Sequence, residues 1–244
     1  DDLQGLTTAQ WSQMATDDLA AMLATVQWAA LATDDVQGLS TQQWSQMATD
    51  DLEAMVATVQ WLAMATDDLQ ALTTAQWSQM ATDDLTAMVA TVQWAALATD
   101  DLQALTTAQW SALATDDLQA LTTDQWSALA SDDVVALRTG QWQALASDDV
   151  VALTTVQWQA FASDDVAALT TVQWGSLRAG LSTEQWVAFN TLSLVALTTA
   201  QWSSFETDDL QALSTSQWSA LATDDLQALT TDRWSVVASD DLQA

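Results

Sequence analysis

Histidine, lysine, cysteine, tyrosine and proline are all missing from these 244 residues, and glycine (5) and arginine (3) are scarce. Each gap excludes something. Without His, Lys, Cys or Tyr, acid–base and nucleophilic chemistry falls to carboxylates and hydroxyls. These recur in repeated positions instead of converging on one site. No enzyme is expected, and no residue is nominated as catalytic, cofactor-binding or metal-ligating. The only cations are Arg138, Arg178 and Arg233, set against 33 acidic residues for a formal charge of −30. Binding to nucleic acid or anionic lipid needs clustered Lys or Arg and is not expected. No apolar run approaches the ~20 residues of a membrane span. Absent cysteine rules out disulfides but assigns no compartment.

What is present is a repeat. The 15 Trp fall at 11, 28, 44, 61, 77, 94, 110, 126, 142, 158, 174, 186, 202, 218 and 234. The spacing is 16, or 17 three times near the N-terminus, with one gap of 12. Residues 11–109 form three copies of a 33-residue unit, each opening "WSQMATDD". Regular 16-residue repeats cover 110–174, irregular coils 175–197, and regular repeats return over 198–244. The chain opens on "DDLQGL" and closes on "SDDLQA", nearly the same phase. Residues 1–244 therefore read as one repeat array and as a slice of a longer one, with no signal peptide in the slice.

Each sixteen divides into two octads: "ATDDLQAL" at 98–105 aligns with "TTAQWSAL" at 106–113. A large apolar residue stands at the fifth position and another at the eighth. All seven Met and all three Phe occupy an eighth position. Residues three apart share a face in a helix but point to opposite faces in a strand. The remaining residues, Ala, Gln, Ser and Leu, are fair to good helix formers. The expected fold is all-α: a repeat solenoid of short capped helices, two octads (16 residues) per coil. The alternative is a β-solenoid with 16-residue coils, which would want more turn-forming residues than five Gly and the single Asn190.

A continuous helix is excluded. Eight residues advance ~800°, about 80° past two turns, so the apolar stripe would wander around the rod. The chain must break once per octad, and threonine supplies the break. Thr99 and Thr107 read as N-caps; Thr106 with Gln109 also fits a capping box, placing the cap one residue earlier. Helices this short must stack to persist.

The recurrent residues each carry two readings. Trp is core, contributing roughly 5 kcal/mol for ~200 Å² buried, or else an exposed ladder that stacks on sugars. Gln precedes fourteen of the fifteen Trp, Arg233 being the exception. It reads as a donor to a carbonyl at the link, or as a solvated surface residue. Fourteen Asp pairs hold 28 of the 33 acidic residues. They suit a helix start, where negative charge is favoured, or form a ladder of Ca²⁺ sites. Repulsion between successive pairs is roughly 0.6 kcal/mol at physiological salt, so Ca²⁺ is permitted but not required. Between Trp174 and Trp186 the Asp octad shrinks to "RAGL", 178–181, and the next becomes "NTLSLVAL", 190–197, without Asp. A bend, a lateral contact, a subunit joint or simple drift fits there.

The octads of "ALTTAQWSALATDDLQALTTDQWSAL", 104–129, resemble low-complexity repeats of very large bacterial secreted or cell-surface proteins, which run "ALTTAQIAALTTDQVAAL" and carry adhesin-like or haem-utilisation-like labels. Here Trp replaces the usual Ile or Val, and the Asp pair is more regular. The resemblance implies an extracellular stalk or fibre. The haem label does not carry over, since no His, Cys or Tyr exists here and the Met sit in core positions. The leading expectation is a structural rod, stalk, sheath or filament protein, secreted or at a bacterial surface. Its partners would be copies of itself or other surface components. The alternatives are a ligand-binding array for calcium or glycan, with divalent cations as partners, and an ice-binding surface built on the recurrent Thr.

Overall fold

A computed structural model describes residues 5–22, 28, 31–53, 58–87, 91–180, 186, 191–195, 197–229 and 234. Among these every regular element is a helix, and nearly all are four to seven residues long. The β-solenoid alternative is thereby excluded. The chain divides into two compact units, 1–125 and 126–244.

Most of the fully described octads fold the same way. In 106–113, Thr106 is extended (φ −77°, ψ 157°), Thr107–Ala112 is helical, and Leu113 is extended again (φ −56°, ψ 143°). In 114–121, Ala114 and Leu121 flank Thr115–Ala120 in the same manner. The link between helices is thus two extended residues. No described residue has a positive φ, which is why the array runs with so little glycine. The i, i+3 apolar pairs face inward together: Leu102 with Leu105, and Trp110 with Leu113, are all buried.

The caps differ from the first expectation. Thr99 and Thr107 are the first helical residues, not the caps. In the Trp octads the earlier box forms: the Thr106 hydroxyl accepts the Gln109 N–H at 3.3 Å, and Gln109 Oε1 accepts the Thr106 N–H at 2.6 Å. In the described Asp octads other than 206–213, where Glu206 stands, the cap is an alanine, with no side-chain oxygen to offer. The second aspartate closes the other half alone, Asp117 Oδ2 accepting the Ala114 N–H at 3.3 Å.

The coil is longer than two octads. Within the first unit Thr41–Gln46 packs on Thr66–Ala71, Thr74–Gln79 on Thr99–Ala104, and Thr91–Ala96 on Thr115–Ala120. Within the second, Thr139–Ala144 packs on Ser163–Ala168 and Ser147–Ala152 on Thr171–Gly180. Within each unit these octads meet the third octad along, and side chains reach the fourth. One turn of each solenoid therefore takes between three and four octads, not two. The link explains this. A 16-residue coil would need the chain to reverse at every octad, and two extended residues turn it by less than a reversal.

Candidate functional site: two ladders of buried polar groups

Position four of every regular octad holds a polar side chain, and most of these are buried. In the Trp octads it is Gln. Gln109 Nε2 donates to the carbonyls of Trp77 (2.9 Å) and Met80 (2.7 Å), four octads back. Its Oε1 accepts from Thr106 N and from Thr106 Oγ1 (2.9 Å). Both amide protons and the amide oxygen are therefore engaged. The pattern repeats: Gln43 reaches Trp11 and Met14, Gln76 reaches Trp44 and Met47, Gln93 reaches Trp61 and Met64, and Gln173 reaches Trp142 and Leu145. Gln thus donates to link carbonyls, as expected, and it also accepts at its own cap. One side chain joins two turns of the solenoid.

In the Asp octads the second aspartate fills position four. Asp35 Oδ1 accepts the Trp11 indole N–H at 2.9 Å across three octads, and its Oδ2 accepts the Ala32 N–H at 3.1 Å. The indoles of Trp28, Trp61, Trp94 and Trp142 draw the carboxyl pKa of Asp51, Asp84, Asp117 and Asp165 down, although the N–H groups of Trp28 and Trp142 fall short of a hydrogen bond. Burial acts more strongly in the other direction. It raises the carboxyl pKa of Asp84, Asp101, Asp117, Asp133 and Asp149 to about 6. Neighbouring Asp83, Asp100, Asp116, Asp132 and Asp148 add repulsion in the same sense.

The alternation of octads puts the two kinds of polar partner at different distances along the chain. Three is odd, so a Trp octad meets an Asp octad at the third place, where indole can find carboxylate. Four is even, so Gln meets another Trp octad at the fourth. Sequence reading placed Gln and Asp correctly as donor and acceptor but missed the distance they span. The signal available was their shared position next to the core residue in both octad types.

The Asp pairs do not act as pairs. The first members, such as Asp34, Asp83, Asp100 and Asp116, are exposed, while most second members turn inward, the exposed Asp18 being an exception. Among the described residues no three acidic side chains converge as a metal site requires. The tryptophans from Trp11 to Trp218 are buried, leaving no ring face open to a sugar. A void of about 20 Å³ beside Trp28, Gln43 and Asp51 has room for one water. The cap hydroxyls, Thr73, Thr106 and Thr154 among them, are bonded to their Gln.

The irregular stretch lies partly outside the described residues, at 181–185, 187–190 and 196. Its described beginning is a single ten-residue helix, Thr171–Gly180, running on through "RAG" where no capping residue stops it. Because 171–180 is one helix covering an octad and most of the shortened one, the reach extends to the fifth octad back, and the partner changes type. Gln201 donates to Val166 and Leu169, both at 3.4 Å, in an Asp octad instead of a Trp octad. The shortened octad has shifted the alternation by one. Aromatic rings gather there: Trp174 lies 6.0 Å from Trp186, and Phe205 lies 5.1 Å from Trp186 and 4.6 Å, stacked, from Trp202.

The short helices, the Thr-Thr-Ala-Gln cap and the octad period are together a known pattern. Residues 94–131 and 203–234 match the ALTTAQ repeat. Those stretches cover under a third of the chain. Among curated proteins none matches the chain. No described helix is long and apolar enough to cross a membrane.

Proposed function

We propose that this chain is a structural repeat array, part of a stalk, sheath or filament outside a bacterial cell, with no catalytic role. One observation carries the reading: the repeated Gln side chains bond carbonyls of another octad, most second aspartates are buried at their own helix starts, and the Trp rings from Trp11 to Trp218 are covered. The polar inventory holds the solenoid together and is not gathered around a substrate. The extracellular setting rests on the resemblance of 104–129 to repeats of large secreted and surface proteins. The strong negative charge suits a solvated spacer that repels nonspecific partners. The exposed first aspartates favour a second reading, an array that takes divalent cations along its surface. Tryptophan emission tests both. The structural reading expects blue-shifted emission that neither Ca²⁺ nor added glycans alter. Emission that moves on adding sugar or Ca²⁺ at micromolar concentrations would assign a ligand instead.

A further inference from the structure

The first unit, residues 1–125, contains no basic side chain, since Arg138, Arg178 and Arg233 all lie beyond it. Within it, Asp84, Asp101 and Asp117 are only 8%, 6% and 4% exposed. The groups facing each can be named. Asp84 meets the Trp61 indole and, as charges, Glu53 and Asp83. The helices packed against its own, Thr58–Ala63 and Thr107–Ala112, carry no titratable side chain. Asp117 meets the Trp94 indole, the Ala114 N–H and Asp116; the helix packed on it, Thr91–Ala96, is free of titratable residues too. Asp101 meets the Ala98 N–H and Asp100, and Thr74–Gln79, packed on its helix, has none.

Each buried carboxylate is therefore held by neutral donors, and every charge acting on it is another anion. We propose that Asp84, Asp101 and Asp117 form a proton-operated lock that tightens the first unit in mildly acidic surroundings and loosens it at neutral to alkaline pH. The neutral acid keeps an oxygen for the cap N–H or indole N–H and escapes both the desolvation cost and the repulsion of an ion. Burial raises all three carboxyls from 3.8 to about 6. A raised folded-state value means that the folded chain holds protons the unfolded chain has released. The stability this contributes is fully present below the unfolded value of 3.8 and is lost as pH rises through about 6. The sign is opposite to ordinary acid denaturation.

The test is thermal unfolding of the whole chain by far-UV circular dichroism between pH 4.5 and 8, at fixed ionic strength with chelator. The wild-type Tm is expected to climb by about 5 °C from pH 7.5 to pH 5. The variant D84N/D101N/D117N is expected to lose a substantial part of that climb, the remainder coming from buried carboxyls such as Asp133 and Asp149 of the second unit, which burial also raises to about 6. The variant D83N/D100N/D116N, which removes equal charge from the exposed neighbours, is expected to keep the climb. A wild-type Tm that is flat or falls on acidification overturns the lock. So does an exposed-site variant that flattens the profile as much as the buried one, which would assign the effect to general repulsion. Should the buried variant fail to fold, carbon-detected titration of the wild-type carboxyls decides. Midpoints for the three above the ordinary carboxylate range support the lock, and midpoints within it overturn it.

Discussion

Gln109 shows how much one residue does in this array. Its amide closes its own helix cap and binds two carbonyls four octads away. Replacing it with Glu keeps the shape but sets carboxylate oxygens against those carbonyls. Replacing it with Leu only leaves them bare. Gln109→Leu is expected to cost about 1–3 kcal/mol and Gln109→Glu more than that, since the latter sets a buried carboxylate oxygen against the Trp77 and Met80 carbonyls. The order of melting temperatures should be wild type, then Leu, then Glu; a Glu variant as stable as wild type would contradict the bonding described. Trp110 acts through volume. Trp110→Ala is expected to cost about 3–5 kcal/mol. Hydrogen exchange should show protection lost in its own octad and in Thr82–Ala87, which packs against it, while remote octads stay protected.

The octad as an element is defined by its ends. Six helical residues between two extended ones leave first-turn N–H groups that only side chains can satisfy. The Trp octads answer with a full box, the Asp octads with half of one, because their cap is alanine. This asymmetry makes an expectation in two directions. Thr106→Ala removes a cap oxygen and should destabilise by about 1 kcal/mol. Ala114→Ser supplies the missing oxygen at an exposed position and should stabilise by up to about 1 kcal/mol. Its hydroxyl can also donate to Asp117, as Thr106 donates to Gln109. Denaturant midpoints of the two single variants check both. Equal loss in both would show that the extended residue itself, not its oxygen, fixes the link.

At the scale of the molecule the alternation of octads is a counting rule. Deleting residues 98–113 removes one Asp and one Trp octad and keeps odd with odd. Deleting 106–113 alone sets Trp octads opposite Trp octads at the third place. The sixteen-residue deletion is expected to shift the melting temperature by a few degrees at most. The eight-residue deletion should lower it by about 5–10 °C through lost indole–carboxylate and Gln–carbonyl bonds. Equal effects would sink the rule. Charge acts at this scale too. Repulsion among the exposed first aspartates, screened at physiological salt, stands against roughly 5 kcal/mol for each buried Trp. Low salt should destabilise modestly, NaCl should restore stability, and a chelator should not unfold the chain. Unfolding by chelator that NaCl cannot reverse would mean the exposed aspartates hold structural metal.

Local chemistry along the chain already decides that this is a helical repeat. The i, i+3 apolar pairs exclude strands, and the 80° drift per octad forces a break. The donor role of Gln and the acceptor role of Asp follow from which atoms each side chain carries. None of this depends on what lies across the fold. How many octads close a turn depends on it entirely. That number is set by the angle through two extended residues, Leu113 and Ala114 for example, and by which turn's carbonyls come within reach of Gln109. Sequence spacing gives the period of the pattern, sixteen, and invites the same period for the coil. The winding instead settles between three and four octads. There each buried Gln finds two carbonyls, the indole of Trp11 finds Asp35, and the apolar fifth and eighth positions face a common core.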